Sequence, residues 1–178
     1  MSAALARRVN QKLYQARLLL EAAFQPEDEL NQVAWQQACY EAALAALDAS
    51  LRAFARELAA AYRLPVEAVE GLQDLQGLAD LRHQTLPELQ RLEAALQDHT
   101  SPLGYLKPAL AALELPPEAR EDAEERWHQA AARSIEQQIP VLNLDQSDPE
   151  TLRLHQAKQM QAELHRLIQA LREQLVEF

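Results

Sequence analysis

Glycine is nearly missing from this chain, with three in 178 residues. Phosphate-cradling loops and tight β-hairpins both draw on glycine's conformational freedom, so its scarcity argues against either. β-Branched residues are scarce as well, which weakens any strand reading. A single cysteine, Cys39, leaves no intrachain disulfide. It reads as a small core or flanking residue of a protein kept in a reducing compartment. There is no His-Glu-x-x-His, no Cys-x-x-Cys and no Gly-x-Ser-x-Gly, so zinc and covalent catalysis lack their usual residue sets. No apolar run approaches the roughly eighteen residues of a membrane span, and no charged-then-apolar leader opens the chain. These absences set the expectation of a cytoplasmic protein without membrane attachment and without a bound cofactor.

Positive charge is also in short supply: the formal net charge is −10 at pH 7. Nucleic-acid binding draws on a basic surface, so no nucleic-acid partner is expected. The balance is uneven along the chain. Residues 1–25 hold Arg7, Arg8, Lys12 and Arg17 against Glu21. Residues 114–125 hold Glu114, Glu118, Glu121, Asp122, Glu124 and Glu125 against Arg120. Two solvated faces explain this, as would a small basic patch or a polar contact between the two segments.

What is abundant is alanine, leucine, glutamine and glutamate, a helix-former composition. The fold class read from it is all-α: a single helical bundle of six or seven helices around one long central helix. The whole chain, 1–178, is expected to form one domain. The central helix is placed at Asn31–Arg63. Tyr40, Leu44, Leu47, Leu51, Phe54, Leu58 and Ala61 step by three and four, which puts them on one face. Ala38, Ala42, Ala45, Ala49, Ala53 and Ala60 form a second, small-residue stripe, so the helix is expected to pack on both sides. Gln37, Glu41, Asp48, Arg52, Arg56 and Glu57 make the polar remainder. Pro65 should end the helix at Leu64.

Around it, a first helix is expected over Ala3–Phe24, with Leu5, Val9, Ala16, Leu20 and Ala23 as its core stripe and Leu13 beside it. A short helix carries Val69, Leu72, Leu75 and Ala79. Thr85-Leu-Pro-Glu88 reads as a capping box opening a helix with Leu86, Leu89, Leu92 and Leu96 inward. Ser101-Pro102 opens another short helix ending before Pro116-Pro117. A sixth helix is expected over Glu118–Gln137, then an extended connector at Ile139–Leu144, where Pro140 precludes a helix. Ser147-Asp-Pro-Glu150 reads as a second capping box. The last helix follows with Leu152, Met160, Leu164, Leu167, Leu171, Leu175 and Phe178 as its stripe. The connector is expected either to lie across the bundle or to form a homodimer contact.

Candidate chemistry is thin. Di-iron carboxylate bundles use Glu-x-x-His on two helices, because positions i and i+3 share a face. Glu125-Arg-Trp-His128 matches the spacing, and Asp80-Leu-Arg-His83 matches it with a shorter acid; Glu41 or Glu57 could add a third carboxylate. The core stripe of the sixth helix passes through Ala123 and Trp127, which leaves Glu125 and His128 at its edge or in solvent. The five histidines, His83, His99, His128, His155 and His165, fall on polar faces or helix ends. Asn10, Lys12, Tyr14 and Arg17 group polar residues on the first helix. They suit either a structural network with the long helix or a small-ligand pocket between the first two helices.

Two resemblances follow from specific stretches. Tyr14-Gln-Ala-Arg-Leu-Leu-Leu-Glu21 with Cys39-Tyr-Glu-Ala-Ala-Leu-Ala-Ala46 resembles HEPN-type helical bundles, which accompany nucleotidyltransferases or act as ribonucleases. The nuclease branch's Arg and His lie closer together than Arg91 and His99 or Arg120 and His128 do here, so that activity does not carry over. Asn10-Gln-Lys-Leu-Tyr14, Ala16-Arg17, Leu20-Glu21, Glu41-Ala-Ala43, Tyr62-Arg-Leu-Pro65 and Val141-Leu-Asn-Leu-Asp145 together resemble a family of uncharacterised proteobacterial proteins of similar length. That resemblance implies a helical fold and a bacterial cytoplasm. The resulting expectation is a non-catalytic interaction or accessory protein with an unidentified protein partner. A metal-carboxylate, ferritin-like bundle or a nucleotide-associated HEPN-type bundle is the alternative.

Overall fold

The computed structural model describes residues 2–25, 29–116, 119–120 and 149–176. Six α-helices organise them: α1 (Ser2–Ala22), α2 (Gln32–Ala61), α3 (Leu72–Leu81), α4 (Pro87–Gln97), α5 (Leu106–Leu113) and α6 (Pro149–Val176). Short 3₁₀ turns at Glu29–Asn31, Val66–Ala68 and Pro102–Tyr105 join them. No strand occurs among the described residues. The sixth helix and the Ile139–Leu144 connector expected from sequence lie outside the described residues, apart from helical Ala119 and Arg120. So do Ser147 and Phe178.

The expected leucine face of α2 is the centre of the core. Leu44, Leu47, Phe54 and Leu58 are fully buried, and Tyr40 and Leu51 nearly so. Ala61, expected at the end of that face, is exposed, because the helix stops there. The Tyr62 N–H donates to the Leu58 carbonyl at 2.9 Å, and Leu64 N–H reaches back to Ala59 at 2.8 Å. Arg63, at φ 56°, takes the left-handed position between them. This closure satisfies the carbonyls the last turn leaves open. Leu64 then turns inward ahead of Pro65.

The second α2 stripe is a correction. Ala38, Ala42 and Ala45 are exposed, and only Ala53 of the six alanines is buried. The alanines that other helices cover are Ala43, Ala46, Ala53, Ala55 and Ala59. Alanine is at once apolar and the best helix former, so its spacing does not by itself report burial.

α1 lies on α2 through Val9, Leu13, Ala16, Leu20 and Ala23, as its spacing predicted. α6 completes a three-helix layer. Its start packs near the end of α1, with the His155 ring tilted against Phe24 at 5.2 Å between centroids and Lys158 over the Phe24 ring at 4.0 Å. Its end lies near the start of α1, where Arg172 bonds Asn10 at 2.8 Å. The two helices therefore run antiparallel. The buried α6 face is Leu154, Ala157, Met160, Leu164, Ile168 and Leu171. Leu152, Leu167 and Leu175, expected inward, are half-buried at its edge.

α3, α4 and α5 close the other side. Leu75, Ala79, Leu86, Leu89, Leu92, Leu96, Leu103 and Leu106 join the same core. The Thr85 capping box does not form. The helix begins at Pro87, capped at Leu86 without a side-chain bond. Glu88 is turned inward, where its carboxylate accepts a 2.6 Å bond from the Tyr62 hydroxyl. Val69, expected within a helix, is buried in the connector before α3, and its carbonyl accepts from the Arg56 guanidinium at 2.7 Å. On α6, Glu163 accepts from Ser101 Oγ at 2.8 Å and from Leu103 N–H at 3.2 Å. One carboxylate thus fixes the Pro102–Tyr105 turn to the long C-terminal helix.

A groove between the first two helices

The antiparallel α1–α2 pair is held at its connecting end by Trp35, whose indole N–H donates to the Ala22 carbonyl at 3.0 Å. Beyond that clasp the two outer faces separate and leave an open groove of about 660 Å³. From α1 it is lined by Lys12, Gln15, Leu18, Leu19 and Ala22. From α2 it is lined by Trp35, Cys39, Ala42, Ala45 and Ala46. Two of the exposed α2 alanines, Ala42 and Ala45, thus form the floor of this groove together with the buried Ala46. Leu18 and Trp35 remain 43% and 45% exposed beside it, unusual for side chains of that size. Cys39 is buried at the floor, and burial pushes its thiol up from the ordinary range. A thiol raised this way is a weak nucleophile at neutral pH.

The two polar lining residues sit together. Lys12 and Gln15 are one turn apart on α1 and both half-buried. The Lys12 ammonium donates to the Gln15 carbonyl oxygen at 2.9 Å. Arg8 occupies the preceding turn of the same face and bonds Gln11 at 2.9 Å.

The other sequence candidates do not assemble. Of the polar group on α1, only Lys12 reaches the groove. Asn10 accepts from Arg172 on α6. Tyr14 is exposed with the Arg17 guanidinium 5.2 Å over its ring, and Arg17 pairs with Glu21 at 3.3 Å. Asp80 and His83 do not share a helix face. α3 ends at Leu81, and His83 takes a left-handed conformation at φ 53° in a closure like that of α2. Asp80 accepts instead from the Gln76 amide at 2.6 Å. Glu125 and His128 lie outside the described residues. Among those described, no three His, Cys, Asp or Glu side chains group in a way that could hold a metal ion. His99, His155 and His165 are exposed and apart.

Glu41 and Glu57 have separate assignments. Glu41 accepts from Gln37 at 2.7 Å and from Arg120 at 2.9 Å. Arg120 thus ties the start of the acidic segment to α2, not to basic α1. Glu57, placed by its spacing on the polar face, is buried and accepts from Nε and Nη2 of the Arg172 guanidinium at 2.8 Å each. Arg172 also bonds the Ala6 carbonyl at 3.4 Å, so one side chain binds α1, α2 and α6. Sequence reading missed this clamp because its members are 115 residues apart. No helix among the described residues is long and apolar enough to cross a membrane.

A family model described as "Family of unknown function (DUF6586)" matches residues 1–178. No curated protein and no solved structure gives a significant match.

Proposed function

The chain belongs to this family of unknown function, DUF6586, and we propose that it is a non-catalytic accessory protein that works by binding through the α1–α2 groove. The observation that carries the reading is the uncovered alanine floor between Leu18 and Trp35. A concave, mainly apolar surface with few polar groups is the common form of a ligand or partner site. Eight of the ten lining residues are Leu, Ala, Trp or Cys, and the other two are Lys12 and Gln15. Chemistry would call for a nucleophile with an adjacent base, and the groove's described lining brings no His, Asp, Glu or Ser to Cys39.

Ala42 is exposed in the groove floor, so a larger side chain there fills the groove without disturbing the core. Wild-type protein and Ala42→Phe are used as bait in native cell extract, and both retained proteins and retained small molecules are identified by mass spectrometry. A species held by the wild type and lost from Ala42→Phe supports the reading. Equal retention by both, with unchanged helical content, overturns it.

A further inference from the structure

We propose that the α1–α2 groove takes one long-chain aliphatic carboxylate, with its anionic head at Lys12 and Gln15 and its tail toward Trp35. This names the ligand class of the binding surface proposed above and rests on that reading. Polarity in the groove is confined to one end. Lys12 donates to Gln15 Oε1 at 2.9 Å. An ammonium has no acceptor, so the amide oxygen is the atom engaged, and the amide nitrogen stays available as a donor. The ammonium keeps two further hydrogens. The pair therefore offers mainly donors, one lone pair of its single acceptor atom being already engaged. A carboxylate is acceptor-only, which makes it the complementary group.

Charge points the same way. Among the described residues Lys12, like Arg7, Arg8 and Arg56, has no carboxylate within ion-pair distance, and of these Lys12 is the one that lines the groove. Arg8, a turn away on the same face, adds a second positive charge. The net charge of −10 does not cancel this locally, because screening confines each charge to about 8 Å in physiological salt. Past Gln15 the lining is Leu, Ala, Trp and Cys, which offers an aliphatic tail its burial and a polar body nothing to bond. From Trp35 to Ala46 α2 rises by roughly 16 Å, an elongated trough suited to one chain. A second copy would bring a chain of the same negative charge to the same face.

The probe is dodecanoate below its micelle-forming concentration, titrated into the full chain by calorimetry, with sedimentation velocity on the same samples. Saturable binding of one dodecanoate per monomer is expected. Lys12→Gln should weaken it about tenfold or more, the scale of one charge-assisted hydrogen bond. Dodecanol should bind more weakly and be indifferent to Lys12→Gln, and Ala42→Phe should abolish binding of both. Equal binding of dodecanoate and dodecanol, or no effect of Lys12→Gln, overturns the carboxylate assignment. So does a dimer that Ala42→Phe dissociates, or association only with anionic vesicles. If dodecanoate does not bind but Ala42→Phe still releases a species retained from extract, the ligand class is wrong and the groove reading stands. If Ala42→Phe changes neither measurement, both fail.

Discussion

Arg63 and His83 hold a backbone conformation that an L-residue enters at a cost. Each closes a helix, and the bonds flanking His83 are well formed: its N–H reaches Asp80 at 3.0 Å and Gln84 N–H reaches Ala79 at 2.9 Å. Glycine is the usual occupant of that position. His83→Gly is therefore expected to raise stability by about 0.5–1 kcal/mol in urea denaturation, the released strain exceeding glycine's entropy cost. Gly104 is the opposite case. A Cβ there would strike the Asp98 carbonyl oxygen, which is backbone and has no rotamer to yield. Gly104→Ala should cost about 1–3 kcal/mol. If His83→Gly destabilises, or Gly104→Ala is neutral, the geometry given for these turns is wrong.

Tyr62 supplies a pH signature. Burial, then its bond to the Glu88 carboxylate, pushes the phenol up to about 12. Its unfolded value is near 10. A raised pKa means that folding favours the protonated form. The associated stability is complete below pH 10 and is lost as pH rises from 10 through 12. Wild type should lose more stability over that window than Tyr62→Phe, and one tyrosine should ionise late in an ultraviolet titration. Parallel stability curves for the two proteins would refute the shift.

At the scale of elements, the Arg172–Glu57 clamp decides how α1, α2 and α6 meet. Removing one member of a buried ion pair leaves the other uncompensated, and the typical loss is 3–5 kcal/mol. Glu57, the partner left behind by Arg172→Ala, is the more buried of the two, so that variant should lose about 3–5 kcal/mol. The double variant Arg172→Met with Glu57→Leu should recover most of that loss, since no charge is then stranded. A double-mutant cycle read by denaturation checks both; additivity of the two single losses would show that the pair is not coupled. The same helices show what spacing does and does not reveal. The leucine faces of α1, α2 and α4 were legible because leucine at three-and-four spacing has one physical solution, burial. The Thr85 box was not, since Glu88 had a better use as the acceptor for Tyr62. The groove was half legible. Lys12 and a pocket between the first two helices were named from sequence, but the alanines of α2 were assigned to packing. Nothing local tells an alanine that a neighbour covers from one that forms an open floor.

For the whole molecule, the decisive fact is that α2 touches α1, α3, α5 and α6. Its leucine face and the inward faces of those helices form one continuous cluster of buried side chains. Leu47 and Phe54 lie within it without solvent contact. Leu47→Ala and Phe54→Ala should each cost about 3–4 kcal/mol, the transfer loss plus the cavity left behind. The cost should also be shared. If the described helices fold as one unit, as proposed for the chain, weakening α2 lowers the protection of every helix that leans on it. Hydrogen exchange on Phe54→Ala should then show α1, α3 and α6 losing protection by the same free energy. Two units would behave otherwise. The α3–α5 layer would exchange at its own lower free energy, insensitive to Phe54, while α1 and α6 alone tracked the substitution. That pattern would make α2 the wall of a three-helix unit with a second layer attached to it, and would set the α1–α2 groove on the more stable of the two.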